Sequence, residues 1–175
     1  KSPGIPETAP IVKALRAKGI PIISEIEFAG RYLDGAKTIC ITGSNGKTTT
    51  TTLTYEMLRQ ADMNVGLTGN IGQSLALAVA TEYCDWYVVE LSSFQLDGMY
   101  DFKANVGVLM NITPDHLDRY DHKLQNYVDS KFRILQNQGI TERFVYCADD
   151  PLTLENLGKQ NLCMQTLPFT AKGAA

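Results

Sequence analysis

Four short apolar runs constrain this chain more than any other feature: residues 37–42 (KTICIT), 85–91 (DWYVVEL), 106–112 (VGVLMNI) and 143–148 (RFVYCA). Each is nearly continuous rather than alternating. A strand with one wet face alternates apolar and polar residues, so an uninterrupted run belongs in a parallel sheet covered on both sides. Helical stretches separate the runs, the first over about 47–61. Parallel neighbours joined through helices require right-handed crossovers. The expected fold class is therefore α/β, a doubly wound, mostly parallel sheet with helices on both faces.

Composition sets the limits. The 175 residues carry 16 Lys+Arg against 19 Asp+Glu, a formal charge of −3, with 44% hydrophobic and 20% charged residues. That suits one soluble domain, or one and a piece. Mild acidity argues against nucleic acid as a partner. No run reaches the roughly 18 apolar residues of a span, which argues against membrane insertion. Residues 1–10 lack the apolar stretch of a signal peptide. Cys40, Cys84, Cys147 and Cys163 form no C-x-x-C pair, and Cys40 and Cys147 fall inside strand-like runs, where cysteine serves as a small buried hydrophobe. A reducing, cytoplasmic setting is expected.

Residues 1–34 read differently. Thr8 is placed to cap a helix through Ile11, Val12 and Leu15 that stops near Gly19. Pro21-Ile22-Ile23 is extended, residues 25–33 form a second short helix, and Asp34-Gly35 turns into the first central strand. The segment is too short for a core of its own, and it reads as the end of a preceding domain. Residues 157–175 show weak periodicity and close abruptly on Lys-Gly-Ala-Ala.

Chemistry concentrates after the first run. Thr42-Gly43-Ser44-Asn45-Gly46-Lys47-Thr48-Thr49 follows a strand and opens a helix, the context of a phosphate-binding loop. Glycines turn backbone N–H groups inward, and the helix N-terminus favours anions. In such a loop Lys47 reaches the β- and γ-phosphates and the Thr48 hydroxyl holds Mg²⁺. The full pattern needs a glycine where Ile41 stands. A glycine turn before a threonine-rich helix is the plain alternative. Residues 48–52 are poor helix material by propensity, however, and a site that wants hydroxyls near phosphate accounts for them.

Glu90 closes the second run, at the strand end where doubly wound sheets bind ligands. An acid there either holds Mg²⁺ or is a solvated strand-end carboxylate. The third run leads into Asn111-Ile112-Thr113-Pro114-Asp115-His116-Leu117-Asp118-Arg119-Tyr120. This places His116 at the same edge, or forms a polar turn with Asp115 capping a helix. His122 lies in a polar loop and is assigned nothing. At about 100° per residue, Leu124, Tyr127, Val128, Phe132 and Leu135 form an apolar arc with Lys131 near its middle. Burying a lone ammonium is costly, so Lys131 snorkels outward or meets a partner. The functional alternative is a lysine aimed at the phosphate crevice, or one that is chemically modified.

Together these residues resemble the Mur ligases, the ATP-dependent amide-forming enzymes of peptidoglycan precursor synthesis. Gly43-Ser44-Asn45-Gly46-Lys47-Thr48 is similar to that family's short phosphate loop, which accounts for the missing first glycine. Gly69-Asn70-Ile71-Gly72, Glu90-Leu91-Ser92-Ser93-Phe94-Gln95-Leu96 and Asp115-His116-Leu117-Asp118-Arg119-Tyr120 resemble the branch that adds D-glutamate, as does the opening Ser2-Pro3-Gly4-Ile5. Similarity fades after about Leu157. Cys147 stands where the family more often has asparagine, and a local change in that loop is expected.

The resemblance implies a P-loop-type domain that uses ATP and Mg²⁺ at two sites, with UDP-N-acetylmuramoyl-L-alanine and D-glutamate as partners and a monomer as the working unit. It implies that Gly43, Ser44, Asn45, Gly46, Lys47, Thr48 and Thr49 cradle ATP. Thr48 and Glu90 would hold the first Mg²⁺, and His116 and Lys131 the second, Lys131 as a carbamate. Asn70, Ser92 and His116 would contact substrate, and Lys47, His116 and Lys131 would be catalytic. Family members have three domains. Residues 1–34 would end the UDP-binding one, residues 35–175 would form the ATP-binding one, incomplete at its C-terminal end before the sheet is finished, and the third, for the amino acid, would lie outside. Such a piece is expected not to catalyse alone. Another Mur or folate-type ligase and a non-catalytic nucleotide-binding module are the competing readings.

Overall fold

A computed structural model describes residues 1–173. In chain order the elements are α1 (Pro10–Ala17), α2 (Glu25–Gly30), β1 (Lys37–Thr42), α3 (Lys47–Gln60), β2 (Val65–Gly69), α4 (Leu75–Thr81), β3 (Trp86–Glu90), α5 (Ser93–Asp97), β4 (Val106–Leu109), α6 (Leu124–Phe132), β5 (Arg143–Cys147), α7 (Pro151–Leu157) and β6 (Gln165–Phe169). The six strands form one sheet in the order β2-β3-β1-β4-β5-β6, and every pairing is parallel. The α/β class expected from the apolar runs is the observed one.

The four runs are β1, β3, β4 and β5, the inner strands. The two strands without a clear run are the edges, for one physical reason. An edge strand is paired on one side and partly wet, so its apolar run is broken. In β2 the break is glycine, as Val-Gly-Leu-Thr-Gly. In β6 it is Pro168, which an edge tolerates because it lacks a ladder donor. Strand β6 lies in the stretch expected to have weak periodicity, so the sheet runs further along the chain than its pattern suggested.

Side chains alternate across the sheet. Cys40 faces the larger core and Ile41 the smaller. Helix α3 covers the smaller one, laying Tyr55 and Leu58 over Ile41, Val88 and Val108. Helices α2, α4, α5 and α6 cover the other face, contributing Ile26, Leu75, Leu96 and Tyr127. Among the described residues no helix is long and apolar enough to cross a membrane.

Residues 1–34 pack on the larger core. Ser24 caps α2 by accepting from Glu27 N at 3.1 Å, and Ile26 and Ala29 are buried against α4. Glu25 accepts from the backbone of Ala76 in α4. The buried Glu27 carboxylate accepts N–H bonds from Tyr100 (2.9 Å), Asp101 (3.1 Å) and Phe102 (2.9 Å). Burial pushes this carboxyl up, but those donors together with Arg31 outweigh it and hold the pKa below the usual range. Two local expectations are corrected. Helix α1 starts at Pro10 with no side-chain cap, because its N-cap is Ala9, whose methyl accepts nothing, and Thr8 stands one residue outside that position. Helix α2 ends at Gly30, short of Leu33.

Candidate active site

The chain runs from β1 outward to β2, returns to β3, and then crosses to β4 on the other side of β1. That reversal makes a crevice at the carboxyl end of β1, the switch point where doubly wound sheets bind ligands. The loop after β1 enters it. Gly46 is the N-cap of α3 in a left-handed conformation, φ 80°. With no side chain in the way, the first N–H groups of α3 are left open to an anion.

The loop is braced from the β4 side. The Ser44 hydroxyl accepts from Thr113 N (2.9 Å), donates to Thr113 O (2.9 Å) and meets the Tyr127 hydroxyl at 3.0 Å. Asn45 N donates to Asn111 Oδ1 at 2.9 Å, and Asn111 Nδ2 donates back to Asn45 O at 3.1 Å. Tyr127, Asn111 and Thr113 carry no signal in the sequence. On the apolar arc of α6, Tyr127 reads as core, and only the fold brings its hydroxyl to Ser44.

Two lysines converge on one carbonyl. Lys47 Nζ donates to Gly43 O (2.9 Å) and Ser44 O (3.0 Å). Lys131 Nζ donates to Gly43 O (2.9 Å) and Thr42 Oγ1 (3.2 Å), and it lies 5.2 Å from the centre of the Tyr127 ring. Lys131 does not snorkel. It is 1% exposed. Burial first, and then the charge of Lys47, lowers its pKa to about 7, against the pull of Asp115, Asp97 and Glu90.

Glu90 is buried at the end of β3. Its Oε2 accepts from Thr48 Oγ1 and its Oε1 from Asn70 Nδ2, each at 2.8 Å. None of the ion pairs among the described residues includes it. A carboxylate with only neutral donors and no salt bridge, beside a hydroxyl on a phosphate loop, is a hard oxygen set. That fits Mg²⁺, which takes one or two carboxylates and completes its shell with phosphate and water oxygens. Among the described residues no group of three or more His, Cys, Asp or Glu is arranged for a metal, so an all-protein cage is not built here.

His116 follows β4 in a left-handed conformation, φ 50°, ahead of a 3₁₀ turn at Leu117–Arg119. Its exposed ring lies 5.3 Å from that of Phe94, and Nε2 is 3.5 Å from Asp115 Oδ2. The guanidinium of Arg119 lies 4.9 Å from the same Phe94 ring. No hydrogen bond joins His116 to Lys131 or Glu90 among the described residues. Asp115 caps no helix, since the N-cap of the 3₁₀ turn is His116 and that of α6 is Lys123, neither with a side-chain cap bond. Ser92 is engaged in a capping box. It accepts from Gln95 N at 3.3 Å while Gln95 Oε1 accepts from Ser92 N at 2.9 Å, which opens α5. Thr49 is exposed in the first turn of α3, and His122 is exposed at φ 55° in its loop.

The model of the Mur ligase middle domain matches residues 41–175. The chain belongs to the Mur ligase family. Similar proteins include the UDP-N-acetylmuramoylalanine–D-glutamate ligase of Bacteroides thetaiotaomicron, 63% identical over 171 residues, which are 98% of this chain and 38% of that protein. The ligase of the same name from Porphyromonas gingivalis is 56% identical over 169 residues, 97% of this chain and 37% of that one. The chain thus spans about 38% of the length of the curated relatives it matches. Among solved structures, MurF ligase from Thermotoga maritima in complex with ADP superposes with a TM-score of 0.66 at 23% identity, over 85% of this chain and 36% of that one. The UDP-N-acetylmuramate:L-alanyl-γ-D-glutamyl-meso-diaminopimelate ligase of Neisseria meningitides gives 0.66 at 18% identity, over 95% and 56%. These two share the fold of this Mur ligase domain at low sequence identity.

Proposed function

We propose that this chain is the nucleotide-binding part of an ATP-dependent ligase that adds D-glutamate to UDP-N-acetylmuramoyl-L-alanine in the cytoplasm. Nucleotide binding is proposed for the chain itself, and ligation for the whole protein of which its relatives are examples. Residues 35–175 are read as the ATP-binding domain and residues 1–34 as the close of the UDP-binding one. One observation carries the reading, the 2.8 Å bond from Thr48 to Glu90 beside an open phosphate loop.

The loop N–H groups and Lys47 bind the β- and γ-phosphates, whose oxygens replace Gly43 O and Ser44 O as acceptors for the Lys47 ammonium. Thr48 and Glu90 would hold Mg²⁺, which when bound neutralises charge on the phosphate oxygens. The substrate carboxylate attacks the γ-phosphorus, the bond to the β–γ bridging oxygen breaks, and ADP leaves. The amine of D-glutamate then attacks the acyl phosphate, loses a proton and expels phosphate. Lys47 stabilises charge building on the transferred phosphoryl group. His116, steadied by Phe94, meets the incoming carboxylate at the rim, and Asn70 and Ser92 line the substrate side. With its pKa lowered to about 7 by burial, Lys131 offers uncharged amine near neutral pH, and its nitrogen can bond to CO₂ with release of a proton. The resulting carbamate oxygens, with His116, would serve a second Mg²⁺.

The test is calorimetric titration of the chain with Mg²⁺ and a non-hydrolysable ATP analogue, beside Lys47→Ala. Binding by the wild type that is lost in the variant is expected. No binding by either, or equal binding by both, overturns the reading. For the whole protein, phosphate release from ATP should depend on D-glutamate and on no other amino acid.

A further inference from the structure

The turn between β2 and α4 is pressed against the end of β3. Gly69 pairs with Glu90 in the parallel ladder. It does so at φ 107°, so close that a Cβ there would stand 2.3 Å from Glu90 O. Only glycine allows that approach. The next residue, Asn70, bonds Glu90 twice. Its backbone N donates to Glu90 O at 3.0 Å, and its Nδ2 donates to Glu90 Oε1 at 2.8 Å. Thr48 holds the other carboxylate oxygen at 2.8 Å. With one donor on each oxygen, from two separate elements, the carboxylate cannot turn about its last torsion. The lone pairs left on both oxygens then have set directions.

We infer that Asn70 is a positioning residue for Glu90: its amide orients the carboxylate so that, with Thr48, a divalent cation bridging to nucleotide phosphates meets a prepared oxygen. The inference rests on the nucleotide and magnesium reading above. It gives Asn70 a task that needs no UDP-linked substrate, unlike the substrate contact implied by resemblance. Removing an outer partner of a metal-binding carboxylate typically costs about 10- to 100-fold in metal affinity. Asn70 is exposed, and its backbone bond to Glu90 survives truncation, so Asn70→Ala deletes the amide without undocking the turn.

The experiment uses this chain with no UDP-linked substrate. Mg²⁺ is titrated calorimetrically into chain plus a non-hydrolysable ATP analogue, and analogue binding is measured separately in excess chelator. Asn70→Ala should raise the Mg²⁺ needed for half-maximal nucleotide binding by roughly tenfold or more, with binding in chelator unchanged. Gln73→Ala, in the same turn but bonded to Glu82 at 2.9 Å, should behave as wild type. If Glu90→Gln loses the Mg²⁺ response and Asn70→Ala keeps it in full, the inference fails while the magnesium reading stands. Weakening by the same factor with and without Mg²⁺ makes Asn70 a support of the whole loop and also overturns the inference. A wild-type chain that binds the analogue equally with and without Mg²⁺ overturns both.

Discussion

Three glutamates of this molecule are almost equally buried and differently partnered. Glu27, Glu90 and Glu142 are 1%, 1% and 3% exposed. Glu27 is met by three backbone N–H groups and by Arg31 at 3.6 Å. Glu142 is met by Lys103 Nζ (2.9 Å), Gly139 N (2.6 Å) and Thr141 Oγ1 (2.8 Å), and chiefly the lysine holds its carboxyl down to about 2. Both lie at the end of the sheet where strands begin. Glu90, where the strands end, has a hydroxyl and an amide and no ion pair among the described residues. A buried charge is tolerated when it is paired and hydrogen-bonded. The first two carboxylates are complete within the fold and anchor it. The third has only neutral donors, which leaves room for the cation proposed above.

The contrast can be broken by substitution. Glu27→Ala strands three N–H groups, that of Phe102 fully buried, and the expected loss of unfolding free energy is about 3 kcal/mol by denaturant titration. A loss under about 1 kcal/mol would mean that water replaces the carboxylate and that Glu27 anchors nothing. Lys131→Met tests the crevice from the cationic side. The folded-state pKa of about 7 lies below the ordinary 10.5. The folded state is therefore penalised wherever the unfolded lysine is charged, fully below about pH 7 and progressively less toward pH 10.5. Methionine should raise stability by about 2 kcal/mol at neutral pH, with the gain shrinking as melting is followed toward pH 10. A gain that is flat with pH would remove the charge argument. Glu90→Gln is expected to move stability least, by under about 1 kcal/mol, while abolishing the Mg²⁺ dependence of nucleotide binding. If it unfolds the chain as Glu27→Ala does, the two classes of carboxylate are one.

The fold was legible where burial imposes a pattern. Strands β1, β3, β4 and β5 must be apolar throughout because both faces are covered, whereas the edges β2 and β6 need only half of that and show no run. The phosphate loop was legible because glycine, lysine and threonine are each required at a fixed spacing after a strand. Lys131 stood out as a charge on an apolar arc, but its direction was open until Gly43 O and Thr42 Oγ1 were seen to receive it. Glu27 was not legible at all. An acid in the first turn of a helix looks like an ordinary capping charge, and its partners lie 73 to 75 positions away.

Ser92 and Asn70 show the same division within one motif set. Resemblance directs both toward substrate, whereas locally Ser92 opens α5 and Asn70 holds Glu90. From its own pattern the chain determined the sheet class, its inner strands and the residue types of the phosphate loop, because periodicity and loop chemistry are short-range. Tertiary structure alone decided which buried charges meet a charged partner and which meet only neutral donors. That depends on register, such as Gly69 against Glu90, and on donors arriving from distant elements, about which a linear pattern carries no information.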